Sequence, residues 1–173
     1  ELARTIPVIE ALRRELNIPI SIDTTRAEVA KKAVEVGADW VNDISGGTCD
    51  PLMLPTVAQL GVPIILMHLR GTPQTMQQLT DYEDLIPDIQ QFFDHQIEQA
   101  LHFGIPKTHL ILDPGIGFAK TISQNLDLIR QLSQFRSFDL PLLVGPSRKS
   151  FIGHILQQPD PQERVWGTGA ACC

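Results

Sequence analysis

HLILDPGIGFAKT, residues His109–Thr121, is the stretch on which the reading of the fold turns. A short apolar strand ends in a carboxylate, Asp113, and runs into a Pro-Gly-Ile-Gly turn, an aromatic residue and a lysine. A strand that stops at an acid and a glycine turn packs poorly but builds a site well. Glycine lets backbone N–H groups come close to a ligand. The acid is therefore placed at the mouth of whatever structure the strand belongs to.

Working outward, the same design repeats. Ile18–Thr24 (IPISIDT), Trp40–Ser45 (WVNDIS), Pro63–His68 (PIILMH) and Pro141–Val144 read as further short strands, by length and β-branched content. Helical spacing runs through Arg26–Val36, Pro51–Leu60 and Tyr82–Phe103, which are closed by Gly37, Gly61 and Gly104. Two more helices are expected from about Ser123 to Leu132 and over Glu163–Cys173, and ELARTIPVIEALRRELN at the start reads as the inside of another. Arg70–Thr80 is a polar, flexible connection. Five strands alternating with helices form a parallel α/β array.

An open doubly wound sheet and a (β/α)8 barrel both fit such an array. Polar residues decide between them. Asp23, Asn42 with Asp43, His68, Asp113 and Ser147–Lys149 all fall at or near the C-terminal ends of strands. In a barrel every such end meets at one mouth, whereas an open sheet uses only the strands at its switch point. No G-x-G-x-x-G follows the first strand, which weakens a dinucleotide fold. A full barrel needs about 250 residues. The expectation is therefore one domain, residues 1–173, holding about five central units of a (β/α)8 TIM barrel. About two strands are expected before Glu1 and one after Cys173, and the absence of an initiator Met agrees with a start upstream.

The 173 residues carry 43% hydrophobic side chains and a formal net charge of −6. No basic patch suggests nucleic acid or an anionic membrane as partner. No apolar run is long enough to span a bilayer, and no signal peptide is visible. Cys49, Cys172 and Cys173 are an odd set without framework spacing, which fits a reducing cytoplasm. Cys172 and Cys173 read as small residues in a helix core.

Each polar strand end has a structural reading beside the functional one. Asp23 could cap the following helix, but Thr24 or Thr25 could do that as well, which frees the acid for a ligand. Asn42 lies within a strand, where Asn is disfavoured, and its amide both donates and accepts. Asp43 points to the opposite side and reads as structural. Asp113 either orders its own Pro-Gly turn or accepts from a ligand, with Gly115 and Gly117 shaping the turn and Phe118 offering an apolar face. Ser147-Arg148-Lys149-Ser150 could hold an anion or a carbonyl oxygen, while Arg148 could equally pair with a structural carboxylate. His68 is balanced between the two roles. No His, Cys, Asp and Glu cluster has metal-ligand spacing, and neither G-x-S-x-G nor a P-loop is present. Two buried acids, an amide and a lysine describe a pocket for a flat, nitrogen-rich ring such as a pterin or purine, whose amidine edge a carboxylate can bind through two hydrogen bonds.

SIDTTRAEVAKKAVEVGADWVNDISGG, ILMHLRGTPQTMQ, ILDPGIGFAKT with a following Asn, and PLLVGPSRKSFIG occur in that order and together resemble the dihydropteroate synthases. The resemblance runs along nearly the whole chain, and ERVWGTGAA resembles the start of that family's next helix. It implies a TIM barrel and a transferase of folate biosynthesis, the target of sulfonamides. That enzyme joins 6-hydroxymethyl-7,8-dihydropterin diphosphate to 4-aminobenzoate with Mg²⁺ and releases pyrophosphate. By position Asp23, Asn42, Asp113 and Lys149 match its pterin-binding residues, and Ile44, Met67 and Gly145 match its pocket wall. Phe118, Lys149 and Ser150 match the residues that receive 4-aminobenzoate, and Asp23, Asp113 and Lys149 are the implied catalytic set. The resemblance also implies a cytoplasmic homodimer.

The pattern departs from the family where its first strand supplies an Asn to metal and diphosphate, and where its last strand supplies an Arg and a His. Neither has a counterpart here, so no metal ligand is assigned in this chain, and the chain alone is expected to be inactive. Two rivals share the pocket. One is a pterin-dependent methyltransferase acting on methyltetrahydrofolate, against which SRKSFIG speaks. The other is a non-catalytic pterin-binding protein.

Overall fold

The order of the strands is the order of the chain. In the computed structural model, which describes residues 1–173, β1 (Ser21–Asp23), β2 (Trp40–Asp43), β3 (Ile64–Met67) and β4 (Leu110–Asp113) form one parallel sheet ordered β1-β2-β3-β4. Helices α1 (Leu2–Glu15), α2 (Ala27–Glu35), α3 (Met53–Leu60), α4 (Leu85–His102) and α5 (Ile122–Arg130) separate and flank the strands. Each of them packs on the next, in a single row. A doubly wound sheet reverses its strand order and places helices on both faces. Unbroken order with one helical layer is the winding of a (β/α) barrel wall.

Side-chain alternation divides the sheet. Val41, Ile64, Leu66, Leu110 and Leu112 point to one face and are fully buried beneath the helices. α4 meets them with Ile86, Ile89, Phe93, Gln96 and Ala100, the spacing of a single helical stripe. α2 turns Ala27, Ala30 and Ala33 inward, small residues that let it lie close. On the other face the register aligns Asp23 with Asn42, Asn42 with Ile65, and Met67 with Asp113. That inner face carries the candidate chemistry.

Three expectations are corrected. Pro141–Val144 is not a regular strand: it makes one bridge, Leu142 to Leu112, with hydrogen bonds from Leu112 N to Pro141 O and from Leu143 N to Leu112 O. Pro141 and Pro146 lack the N–H groups that would extend the ladder. A helix absent from the sequence reading, α6 (Ser150–Leu156), follows the Ser-Arg-Lys turn. Its Gly153 and its seven-residue length hide it from periodicity. Cys172 and Cys173, at the end of α7 (Val165–Cys172), are exposed rather than packed, because that helix buries no residue.

α5 begins with a capping box: Thr121 Oγ1 accepts from Gln124 N at 3.2 Å, and Gln124 Oε1 accepts from Thr121 N at 2.8 Å. The cap closes the HLILDPGIGFAKT loop onto its helix. Thr121→Ala is expected to cost about 1 kcal/mol of stability, read as a lowered denaturant midpoint with unchanged slope.

Candidate functional site

Asp113 ends β4 and is buried. Its Oδ1 accepts from Gly115 N at 2.8 Å. The acid does order its own turn, with one oxygen, while the other makes no hydrogen bond within the protein. Burial pushes its carboxyl above the usual range; the Gly115 N–H and the charges of Lys120 and Lys149 oppose that push. Gly115 and Gly117 have φ of +73° and +81°, the left-handed region that glycine occupies freely.

Asn42 lies beside Asp23 on the inner face, and its amide works against the upward push that burial gives the Asp23 carboxyl. The Asn42 Oδ1 atom is buried without any partner. A buried acceptor left unpaired is costly, and such groups mark places where something outside the protein completes the bond. Asp23 itself is exposed, against the expectation of a second buried acid. Within residues 1–173 β1 is the first strand of the sheet. Asp23 does not cap α2. Asp50 Oδ2 accepts from Ala27 N at 2.8 Å, and Thr24 Oγ1 accepts from Arg26 N at 3.2 Å. Asp43 is structural, as expected: its carboxylate accepts from Ser45 N, Ser45 Oγ and Gly47 N.

Met67, Leu69 and Ala119 form a small apolar cluster at the strand ends, with Ile44, Phe118 and Met76 packed against it. A cleft beside it is lined by Asp23, Thr25, Ile44, Cys49, Leu69 and Pro73. Lys149 Nζ stands 3.9 Å above the centre of the Phe118 ring. Burial lowers the Lys149 pKa, and the Asp113 charge raises it again. Ala119 and Arg148, both adjacent in sequence to this pair, hold left-handed φ values of 50° and 56°. Non-glycine residues in that region are strained, and such strain collects at functional turns. The Arg148 side chain forms no salt bridge; its backbone N–H donates to Thr168 Oγ1 and its carbonyl accepts from Arg164. Of the remaining candidates, Ser150 is exposed at the first turn of α6, and Gly145 stands in open space, with nothing near where a Cβ would be. The structure thus gathers Asp113, Lys149, Phe118, Met67 and Ile44, sets Asp23 with Asn42 along the same face, and leaves Gly145 apart.

Three buried polar residues escaped the sequence reading as a set. Lys120 is almost wholly buried, its Nζ 3.1 Å from His68 Nδ1, 3.1 Å from Gly115 O and 3.0 Å from Phe118 O. His68 is buried too, edge-on to Phe92, and burial together with the Lys120 and Arg70 charges drives its pKa down to about 2. Asn125 accepts from Gly117 N and donates to Lys120 O and Thr121 O. The visible signal was the lysine at the end of a glycine loop, but nothing in the sequence showed that it folds back underneath.

Residues 1–173 match the pterin binding enzyme family over their whole length. The chain belongs to the pterin binding enzyme family. Within it, the chain is similar to the dihydropteroate synthase of Synechocystis sp., at 65% identity over 173 residues, covering 100% of this chain and 60% of that protein. Among solved structures, a Yersinia pestis dihydropteroate synthase with a sulfonamide drug complex aligns with a TM-score of 0.94 at 44% identity, over 98% of this chain and 61% of that one. A Stenotrophomonas maltophilia dihydropteroate synthase with active-site-bound imidazole gives 0.96 at 38% identity, over 99% and 64%. The chain thus spans about 60% of the length of the pterin binding enzymes it is compared with here. The barrel wall and its open inner face are those of that family's TIM barrel.

Proposed function

We propose that the protein is a dihydropteroate synthase, a transferase that condenses 6-hydroxymethyl-7,8-dihydropterin diphosphate with 4-aminobenzoate to give 7,8-dihydropteroate and pyrophosphate. The observation that carries the reading is the inner face itself. A buried carboxylate with a free oxygen, an unpartnered amide oxygen and a cation stacked on an aromatic ring all point to one side of the sheet. The pterin ring lies across Asp23, Asn42 and Asp113, with Met67 and Ile44 as its apolar wall. The free Asp113 oxygen accepts from the ring's amino and N–H edge, and Asn42 Oδ1 takes a further ring donor. The aminobenzoate packs at Phe118, with Lys149 and Ser150 toward its carboxylate.

No protein nucleophile is required, because the aromatic amine attacks the pterin methylene as pyrophosphate leaves. The buried Asp113 carboxylate stabilises the positive charge that develops there, in a poorly solvated part of the site, with Asp23 adding its charge from the end of β1. Positioning supplies the rest. No group of three or more His, Cys, Asp or Glu side chains converges in this chain as a metal site. Mg²⁺ belongs to the proposal on the strength of the family likeness alone, and no step here runs through the ion. No helix is long and apolar enough to cross a membrane. Cytoplasmic placement and a homodimer belong to the same proposal, on the strength of the family likeness.

The deciding experiment is turnover by the full-length protein: dihydropteroate and pyrophosphate appear in equal amounts from the two substrates. Pterin binding without product would make it a non-catalytic member, and methyl transfer from methyltetrahydrofolate would make it the rival enzyme. Phe118→Ala is expected to raise the KM for 4-aminobenzoate about tenfold, the loss of one aromatic and cation–π contact, with pterin affinity unchanged in calorimetry.

A further inference from the structure

Lys120 Nζ touches three acceptors, His68 Nδ1, Gly115 O and Phe118 O. An ammonium has three N–H donors and no acceptor. The match uses every donor and requires His68 to present a bare Nδ1, as the neutral ring does in its Nε2–H tautomer. Gly115 is then held at both ends, its N–H bonded to Asp113 Oδ1 and its carbonyl to Lys120 Nζ. One peptide unit on either side of a single residue separates a buried cation from a buried anion.

We propose that Lys120 is a positioning residue of the pterin site: by gripping the Gly115 and Phe118 carbonyls it fixes the Asp113 carboxylate for the pterin and the Phe118 ring for the second substrate. It touches neither substrate, because all its donors face the protein. The inference rests on the pterin reading of Asp113. The charged and titratable groups around the pair are few. Lys120 faces His68 at the end of β3, Asp113 at the end of β4, and the charge of Arg70 on the segment after β3; Asp113 feels Lys120 and the Lys149 charge from the start of α6. Burial lowers the Lys120 pKa to about 7; Asp113 works to raise it and Arg70 to lower it further.

Protonated Lys120 serves all three acceptors; as pH rises through about 7 the neutral amine keeps two N–H donors but loses its charge, and the grip on the Gly115 and Phe118 carbonyls weakens. Pterin binding needs ionised Asp113 and is lost as pH falls through that group's raised pKa. Removing the Lys120 charge raises the Asp113 pKa further.

The test measures 6-hydroxymethylpterin affinity by calorimetry against pH, in the full-length protein and in Lys120→Met and Lys120→Arg. In Lys120→Met the acid limb of the affinity profile is expected to move upward by about one pH unit, the effect of losing one nearby opposite charge. In Lys120→Arg, which stays protonated far above neutrality, the alkaline limb is expected to move upward while affinity at pH 6 stays within a fewfold of wild type. A purely structural lysine would lower affinity equally at every pH, and unmoved limbs in both variants overturn the inference. If Lys120→Met does not fold, the alkaline limb of Lys120→Arg decides alone. Absence of pterin binding by the wild-type protein would instead overturn the functional reading.

Discussion

Asp113→Asn in the full-length protein is expected to weaken pterin binding by about 2–4 kcal/mol, the cost of removing one charged partner from a buried hydrogen-bonded pair. That is a loss between about thirtyfold and several hundredfold in affinity. Two consequences of the geometry set the size. The carboxylate is buried, so water cannot replace the lost acceptor. Its Oδ1 is already committed to Gly115 N, so the amide of the variant must turn its oxygen toward the turn and its NH₂ toward the ring. There a donor meets donors, and the amidine edge of the pterin is repelled. Fold stability should change less than affinity, since the Gly115 bond survives that rotamer. Calorimetry with unchanged pterin affinity would remove Asp113 from the site and with it the proposed function.

The other large effect is expected at Gly115. A methyl group there would sit far closer to the His68 carbonyl oxygen than van der Waals contact allows, and the residue has φ of +73°. The obstacle is backbone, from the end of β3, so no side chain can swing away. Overpacking and a left-handed non-glycine residue each cost on the order of 1–3 kcal/mol. Gly115→Ala is thus expected to lose about 3–5 kcal/mol of stability, read from chemical denaturation. Gly61 offers the comparison. Its φ is similar, at +68°, but nothing lies within 4 Å of a Cβ there, so Gly61→Ala carries only the backbone cost. Equal losses at the two positions would show that the β3–β4 approach is looser than described.

Much of this was legible in the residues. Strand ends bearing Asp23, Asn42 and Asp113 followed from short β-branched runs stopped by polar residues, and all three do share the inner face. Helix ends at Gly61 and Gly104 followed from glycine's tolerance of positive φ. What escaped was non-local. Whether Pro141–Val144 would pair regularly depends on partners beyond its own pattern, and only one bridge formed. Lys120 reads in sequence as the solvated end of a loop, because burial of a lysine requires acceptors that only the folded backbone supplies. The His68 Nδ1 and the Gly115 and Phe118 carbonyl oxygens that receive it lie on two segments brought together by the β3–β4 register. Asn125 likewise looks like an ordinary polar residue on a helix, until the Gly117 amide is found to be its partner.

The sheet whose strands follow chain order has a consequence for how such a protein is made and how it diversifies. Every strand pairs with the one completed about one helix earlier. A nascent chain can therefore dock each new unit on finished structure as it leaves the ribosome, without waiting for a segment from the far end of the chain. The same arrangement lets a loop at one strand end be lengthened or replaced without re-threading the others. New chemistry at the mouth can accumulate one turn at a time while the wall beneath is inherited unchanged.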